Sequence, residues 1–472
     1  MKTFKLIVLI GVSLFHFSCS DDLLDLDPIS EMNENEFYET EEDFQLAVNA
    51  AYETLHIHYG PEGGLSYTEQ LSDEATMFRV AGSISDRQAF KDYNLRPDNT
   101  VVQAIWDDSF IALNRINTVL TRLESVDLDE NVESVFTAEM RFLRGLYYFN
   151  LVRMFGPLPL LDRTVSVQES YQILRSPENE VYDLVISDLE YAAANLPLRS
   201  ETEIEGQATK GAAKGILGKV YLALGDNNAA QDILMEVISS GEYELIDNYE
   251  NLWDIENENT EEGVFEIQYL GGVGNPYSDY WTAFAPFENF SITRAAGGMN
   301  MVTEDLWEAY EEGDPRREAS INEGYYDTSG TWIPILFPKK WEDRTVIDRY
   351  GSEFSENNFI VLRYADILLM YAEAANDPEY LNMVRRRVGL PEYGTPGYPS
   401  EEYPTLKLAI AHERHVELAL EFHRWFDLKR LDLAIPVISE AKDVTITEED
   451  LLLPIPQSVR DQNPEIAQNP GY

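Results

Sequence analysis

Residues 214–242 read KGILGKVYLALGDNNAAQDILMEVISSGE, and the spacing within them decides the fold class. Leu217-Gly218 is followed by Tyr221, then by Gly225-Asp226, Ala230 and Leu234. This is the order of a tetratricopeptide-type helical hairpin, with L-G-x-x-Y on the first helix and A-x-x-x-apolar on the second. The small residues let two antiparallel helices approach closely, the tyrosine fills the gap, and Gly225-Asp226 supplies the turn. Lys214 stands where the pattern prefers Trp, and Glu242 where it prefers Pro. One such pair cannot bury its apolar face alone and must stack on others.

Neighbouring segments supply those partners. Residues 42–54 place Phe44, Ala47, Val48 and Ala51 at helical spacing, with Leu55 just beyond. The same period runs through 102–123 and 137–155, the latter halted by Gly156-Pro157, and through 178–195, which starts after Pro177. Beyond Gly241 the periodicity fades. Residues 249–351 are rich in Gly, Pro, Trp, Tyr and Asn, and only Val264 to Gln268 alternates like a strand. Helical patterns return over 359–376, 378–388 and 403–433, and the Pro-studded tail 451–472 is expected to lie extended on the body. The prediction is an all-α protein of stacked tetratricopeptide-like hairpins with a large irregular, loop-rich half. Its single domain, 36–472, divides into a helical-repeat half (36–240), a loop-rich insert (241–358) and C-terminal helices with the tail (359–472).

The N-terminus adds a location. Lys2 and Lys5 precede an apolar stretch over 6–17, too short for the roughly 20 residues that span a bilayer. Ser18 and then Cys19, the single cysteine of the 472 residues, end it. The pattern predicts a signal peptide (1–18), a lipidated Cys19, and an acidic tether (19–35) containing Asp21, Asp22, Asp25 and Asp27. Two or three acyl chains at about 0.8 kcal/mol per buried CH₂ anchor a protein stably. The formal net charge of −50 argues against nucleic acid as a partner, because such a surface repels phosphates.

Catalytic signatures are missing. Gly272-Val273-Gly274 lacks the third glycine of a dinucleotide fingerprint, and neither a phosphate loop nor a Gly-x-Ser-x-Gly elbow occurs. Asp127-Leu128-Asp129-Glu130-Asn131 opens like a calcium loop but carries Val132 where glycine is needed. His412 and His415, beside Glu413 and Glu417, do not form His-Glu-x-x-His and read as surface or hydrogen-bonded histidines rather than metal ligands. Neither a cofactor nor an enzymatic activity is expected.

Several segments together resemble a known family. They are Cys19 with its acidic followers, Phe142-Leu-Arg-Gly-Leu-Tyr-Tyr-Phe149 running into Gly156-Pro-Leu-Pro159, and Arg363-Tyr-Ala-Asp-Ile-Leu-Leu-Met-Tyr-Ala-Glu373. Glu413-Arg414, Glu417-Leu-Ala-Leu-Glu421, His423-Arg-Trp-Phe-Asp-Leu-Lys-Arg430, Pro454-Ile-Pro456 and Asn469-Pro-Gly-Tyr472 complete the set. In this order they resemble the SusD/RagB family of Bacteroidetes outer-membrane nutrient-binding lipoproteins, with Phe422 where many relatives have Gly. The resemblance implies four tetratricopeptide-like helix pairs, an irregular, loop-rich half that faces ligand, an extracellular-facing lipid anchor, and capture of a glycan, less often a peptide, for a SusC-type TonB-dependent transporter.

Direct reading gives Arg363, Asp366, Glu421, Arg424, Asp427 and Arg430 the spacing of salt bridges and caps between packed helices. Glycan capture needs flat aromatic faces and planar polar groups on loops. Two segments carry them. One is Tyr277, Tyr280 and Trp281 among Gly271, Gly272 and Gly274, followed by Phe284, Phe287 and Phe290; the other runs from Tyr67 through Asp73, Glu74 and Arg79 to Arg87. Trp332 and Trp341 are further stacking candidates. Rival expectations are capture of a cationic peptide by acidic loops, a repeat scaffold with no small ligand, and a hydrolase.

Overall fold

The computed structural model describes residues 37–77, 85–286 and 297–472. The leader, Cys19, the tether, Arg79, Phe287 and Phe290 therefore lie outside the described residues. The protein is about 53% helical, with only short strands, and the fold is all-α.

Eight helices pack in succession, each against the next: Glu41–Tyr59, Thr100–Leu123, Glu130–Phe155, Glu178–Asn195, Lys210–Ala223, Asn227–Ser239, Tyr364–Ala375 and Pro378–Arg387. Their starts are encoded locally. Thr40 closes a capping box, and Asn99, Asp129, Thr209, Asp226 and Asp377 each accept a backbone N–H of the first turn. Asp129, the second acidic residue of the calcium-like run, is thus a helix cap.

The small residues of the repeat pattern do what their spacing implies. A Cβ on Gly218 would stand 2.5 Å from Leu234 of the partner helix, and one on Gly145 would stand 3.1 Å from Leu189. Backbones approach to that separation only without a side chain between them.

Two stretches read as helix change character. Residues Phe359–Arg363 form a strand, antiparallel to Gly263–Ile267, and the helix begins at Tyr364. The run read as one helix over 403–433 is two, Leu406–Glu417 and Arg424–Arg430. Between them Leu420 (φ 67°) and Phe422 (φ 66°) adopt the left-handed conformation that favours glycine. The break lets Glu417 and Glu421 both reach the fully buried Arg363, whose Nη1 and Nε donate to them at 2.5 and 2.8 Å. Glu262 accepts from the same guanidinium at 2.8 Å. Behind it, Arg316 pairs with Asp314, Glu413 and Glu417, and Lys340 pairs with Glu421. Arg414 holds Asp366 and Asp427, and Arg430 holds Glu373 and Asp427. The motif charges are thus braces between elements.

The tail docks on the C-terminal end of the Glu130–Phe155 helix. Leu453 N–H donates to Met154 O at 2.8 Å and the Asn469 amide to Phe155 O at 2.9 Å. It includes one short helix, Gln457–Gln462, and is not extended throughout.

Candidate functional site

The loop-rich insert is organised by two consecutive aromatics. Tyr280 and Trp281 open the short helix Tyr280–Phe284, where neighbours point about 100° apart. Tyr280 enters the main core, 5.5 Å from the rings of both Trp341 and Phe359. Trp281 enters a separate small core with Ala285, Met301, Phe337 and Val346. That core fastens four segments together: the helix itself, the strand Met301–Val302, the hairpin Ile321–Tyr326/Trp332–Pro338, and the helix Val346–Tyr350.

Exposed aromatics ride on these fastened segments or directly beside them. Tyr277 stacks on Phe354 with 3.9 Å between ring centroids, and it is 39% exposed. Ser278 and Ser355 exchange backbone hydrogen bonds of 2.8 and 2.9 Å beneath the stack. Gly272 (φ 96°) and Gly274 (φ 90°) make the preceding turn, and a Cβ on Gly271 would stand 2.3 Å from the Tyr350 ring. At the hairpin tip Tyr326 and Trp332 form an edge-on pair 5.0 Å apart, 64% and 45% exposed. Aromatic faces offered to solvent on rigid segments suit a flat apolar surface of a ligand.

The Tyr277 loop also edges a cleft of about 1000 Å³, through Leu270 and Pro276. The opposite wall is the Glu41–Tyr59 helix, which contributes Gln45, Asn49, Tyr52 and His56. Asn259 and Gln268 trade amide hydrogen bonds of 2.9 Å in the wall, and His56 Nε2 lies 2.9 Å from Gln268 O. Among the described lining residues are seven glutamates (53, 139, 205, 256, 258, 266 and 356) and neither Lys nor Arg. Burial pushes Glu258 up to about 8 and raises Glu139 and Glu266. These carboxyls keep their protons to higher pH than free ones and, while protonated, can donate as well as accept.

A laminarin-binding SusD-like protein superposes on this architecture with a TM-score of 0.82 and 30% identity, over 92% of this chain and 100% of that one. The chain belongs to the SusD family. A SusD-family model matches residues 334–472, and a second, described as starch-binding and associating with the outer membrane, matches residues 22–222. SusD-like protein P2 of Formosa agariphila is 29% identical over the whole of both chains. A surface glycan-binding protein A from Bacteroides thetaiotaomicron, solved with laminarihexaose, shares the SusD fold at 22% identity and a TM-score of 0.79, covering 91% of this chain and 99% of that one. These relatives are named as binding proteins. Among the described residues no helix is long and apolar enough to cross a membrane.

Within this SusD-family frame the residues singled out from sequence separate. Tyr277 and Trp332 are exposed, as a stacking role requires. Tyr280 (0% exposed), Trp281 (2%) and Trp341 (3%) offer no face to a sugar and are corrected to core anchors. Asp73 and Glu74 are corrected to braces. Both are buried, Arg424 grips Asp73 through two bonds of 2.8 and 2.7 Å, and Glu74 accepts from Leu420 N–H at 2.7 Å. Burial alone would raise Asp73, but the charges of Arg424 and His415 outweigh it and hold it below the usual carboxylate range. Arg79 lies outside the described residues, while Arg87 pairs with Glu62 at 2.6 Å. His412 stacks on Tyr403 at 3.9 Å, and its neighbour Glu413 pairs with Arg316 and Arg385. The cleft was missed from sequence because its walls come from five separated stretches, none with a motif of its own.

Proposed function

We propose that this protein captures a neutral oligosaccharide, of the laminarin type, at the outer-membrane surface and presents it to a SusC-type TonB-dependent transporter for import. Cys19 carries the lipid anchor in this reading, and no catalysis is involved. One observation carries it: the exposed Trp332 rides on a hairpin fixed by the small core that also holds the helix directly after Tyr277, and the Tyr277 loop edges an open cleft of amides and carboxyls. Stacking on the rings takes the C–H faces of sugars, and the cleft supplies donors and acceptors for hydroxyls. The likeness to a laminarin-binding SusD-like protein supports the ligand class.

The seven glutamates of the cleft favour one alternative, a basic peptide as the captured nutrient. Calorimetric titration against a panel of neutral oligosaccharides, with basic peptides as the contrast, separates the two. Saturable heat from a glycan supports glycan capture. Heat from a peptide alone transfers the function to the second reading, and silence from both panels removes capture by the isolated protein.

A further inference from the structure

A second cavity, of about 250 Å³, shares no lining residue with the cleft described above. It lies where the Glu130–Phe155, Glu178–Asn195 and Lys210–Ala223 helices meet the Arg424–Arg430 helix. In a chain of net charge −50, its walls are cationic: Arg153, Lys219, Arg414, Lys429 and Arg430. Three of these are matched. Lys219 pairs with Asp366 at 2.6 Å, Arg414 with Asp366 and Asp427 at 2.6 and 2.8 Å, and Arg430 with Asp427 and Glu373.

Arg153 and Lys429 are different. Among the described residues neither has a carboxylate within ion-pair distance. The Arg153 guanidinium is sandwiched between the rings of Phe149 and Phe426, each centroid 3.9 Å away, and donates to Phe149 O and the Asn150 side chain. Lys429 donates to Arg153 O and Leu451 O, both at 2.6 Å, which satisfies two of the three donors of an ammonium. Capping those carbonyls explains why a donor stands there, but a neutral donor would cap as well. Holding two cations together without a carboxylate in ion-pair contact is costly in a partly enclosed site, and Asp427 and Glu178 offset that cost only from further off. Glu178 is the remaining lining carboxylate, and it sits exposed.

We propose that this cavity is a binding site for a small oxyanion, whose charged end pairs with Lys429 and Arg153 and whose body rests on Phe149, Tyr182 and Phe426. The volume lies just under the roughly 300–1,000 Å³ that houses drug-sized ligands, so the occupant is the size of an inorganic oxyanion or a single sugar acid. Burial and the neighbouring Arg153 push Lys429 down to about 7, and a bound anion would restore its charge.

The test uses the full chain in nonionic detergent at fixed ionic strength. Inorganic phosphate, sulfate and glucuronate are titrated calorimetrically, with glucose as the neutral control. The expected result is saturable binding of at least one anion, weakened roughly tenfold or more in Lys429→Met, with glucose silent. Glucuronate binding more tightly than phosphate identifies a sugar acid as the occupant, and the reverse order identifies an inorganic oxyanion. Silence from all three anions, or equal binding in Lys429→Met, overturns the proposal. Should that variant fail to fold, selenate soaked into crystals of the unaltered protein decides: an anomalous peak beside Lys429 and Arg153 upholds the site, and its absence there refutes it. None of these outcomes depends on glycan capture.

Discussion

Two tryptophans that look alike in sequence should respond oppositely to the same change. Trp281 is 2% exposed and is the largest member of a small core whose other buried residues are Ala285, Met301, Phe337 and Val346. With so few neighbours to collapse inward, Trp281→Ala should sit well within the roughly 3–5 kcal/mol that burying-site Trp or Phe truncations cost. Because that core joins the 280–284 helix to the hairpin and to Val346–Tyr350, the loss should appear first as local opening there. Trp332 is 45% exposed, so about half of the 1.5–3 kcal/mol for full burial of a large apolar side chain is at stake, roughly 1 kcal/mol. Its truncation should instead weaken laminarihexaose binding by about 1–2 kcal/mol, a factor of roughly 5–30. Urea denaturation gives the stabilities, hydrogen exchange localises the opening, and calorimetry gives the affinities. The reasoning is refuted if Trp281→Ala is as stable as the unaltered protein, or if Trp332→Ala binds the hexasaccharide undiminished.

Other outcomes follow from the packed charges and the repeat. Arg363→Met leaves Glu421 with Lys340, and Glu417 with Arg316 and Arg387, and should cost about 3–5 kcal/mol near pH 7. Burial opposes ionisation of Glu417 and Glu421, yet the surrounding cations hold both below the usual carboxylate range. Their contribution is therefore present above the unfolded value of about 4.3 and is lost as pH falls through the folded values. The Arg363→Met deficit should shrink between pH 7 and pH 3.5, and a deficit equal at both would contradict the ion-pair account. Gly218→Val should destabilise by roughly 1–3 kcal/mol, since its Cβ would stand 2.5 Å from Leu234, and unchanged thermal unfolding would argue against close helix approach there. Cys19→Ser should release the protein from the membrane fraction, and persistence there would point to another mode of attachment.

The helical repeat was legible because its signals are local. Leu217, Gly218, Tyr221, Ala230 and Leu234 meet within one hairpin, and the caps precede their own helices. The apolar run Phe359–Arg363 was ambiguous between helix start and buried strand, and pairing with Gly263–Ile267, nearly a hundred residues earlier, made it a strand. The break at Leu420 and Phe422 was hidden because neither is a residue that signals a left-handed turn. The hairpin Ile321–Tyr326/Trp332–Pro338 passed unread, although its turn, Asp327-Thr-Ser-Gly330, carries ordinary turn residues.

In the Tyr277 loop, sequence marked the aromatics but not the inward and outward directions along it. Tyr277, Tyr280 and Trp281 are equivalent as letters. Their division between surface, main core and small core depends on Phe354, Trp341 and Phe337, which lie 56 to 77 positions away. Asp73 and Glu74 looked like free loop carboxylates because their partners, Arg424 and Leu420, come about 350 residues later.

The central claim is that a glycan lies on the exposed aromatics beside the cleft. A crystal structure of the protein with laminarihexaose tests it most directly. The account predicts sugar rings stacked on Tyr277 or Trp332, with hydroxyls hydrogen-bonded to amides and carboxyls of the cleft wall. A hexasaccharide bound on another face, or none bound at saturating concentration, would contradict it.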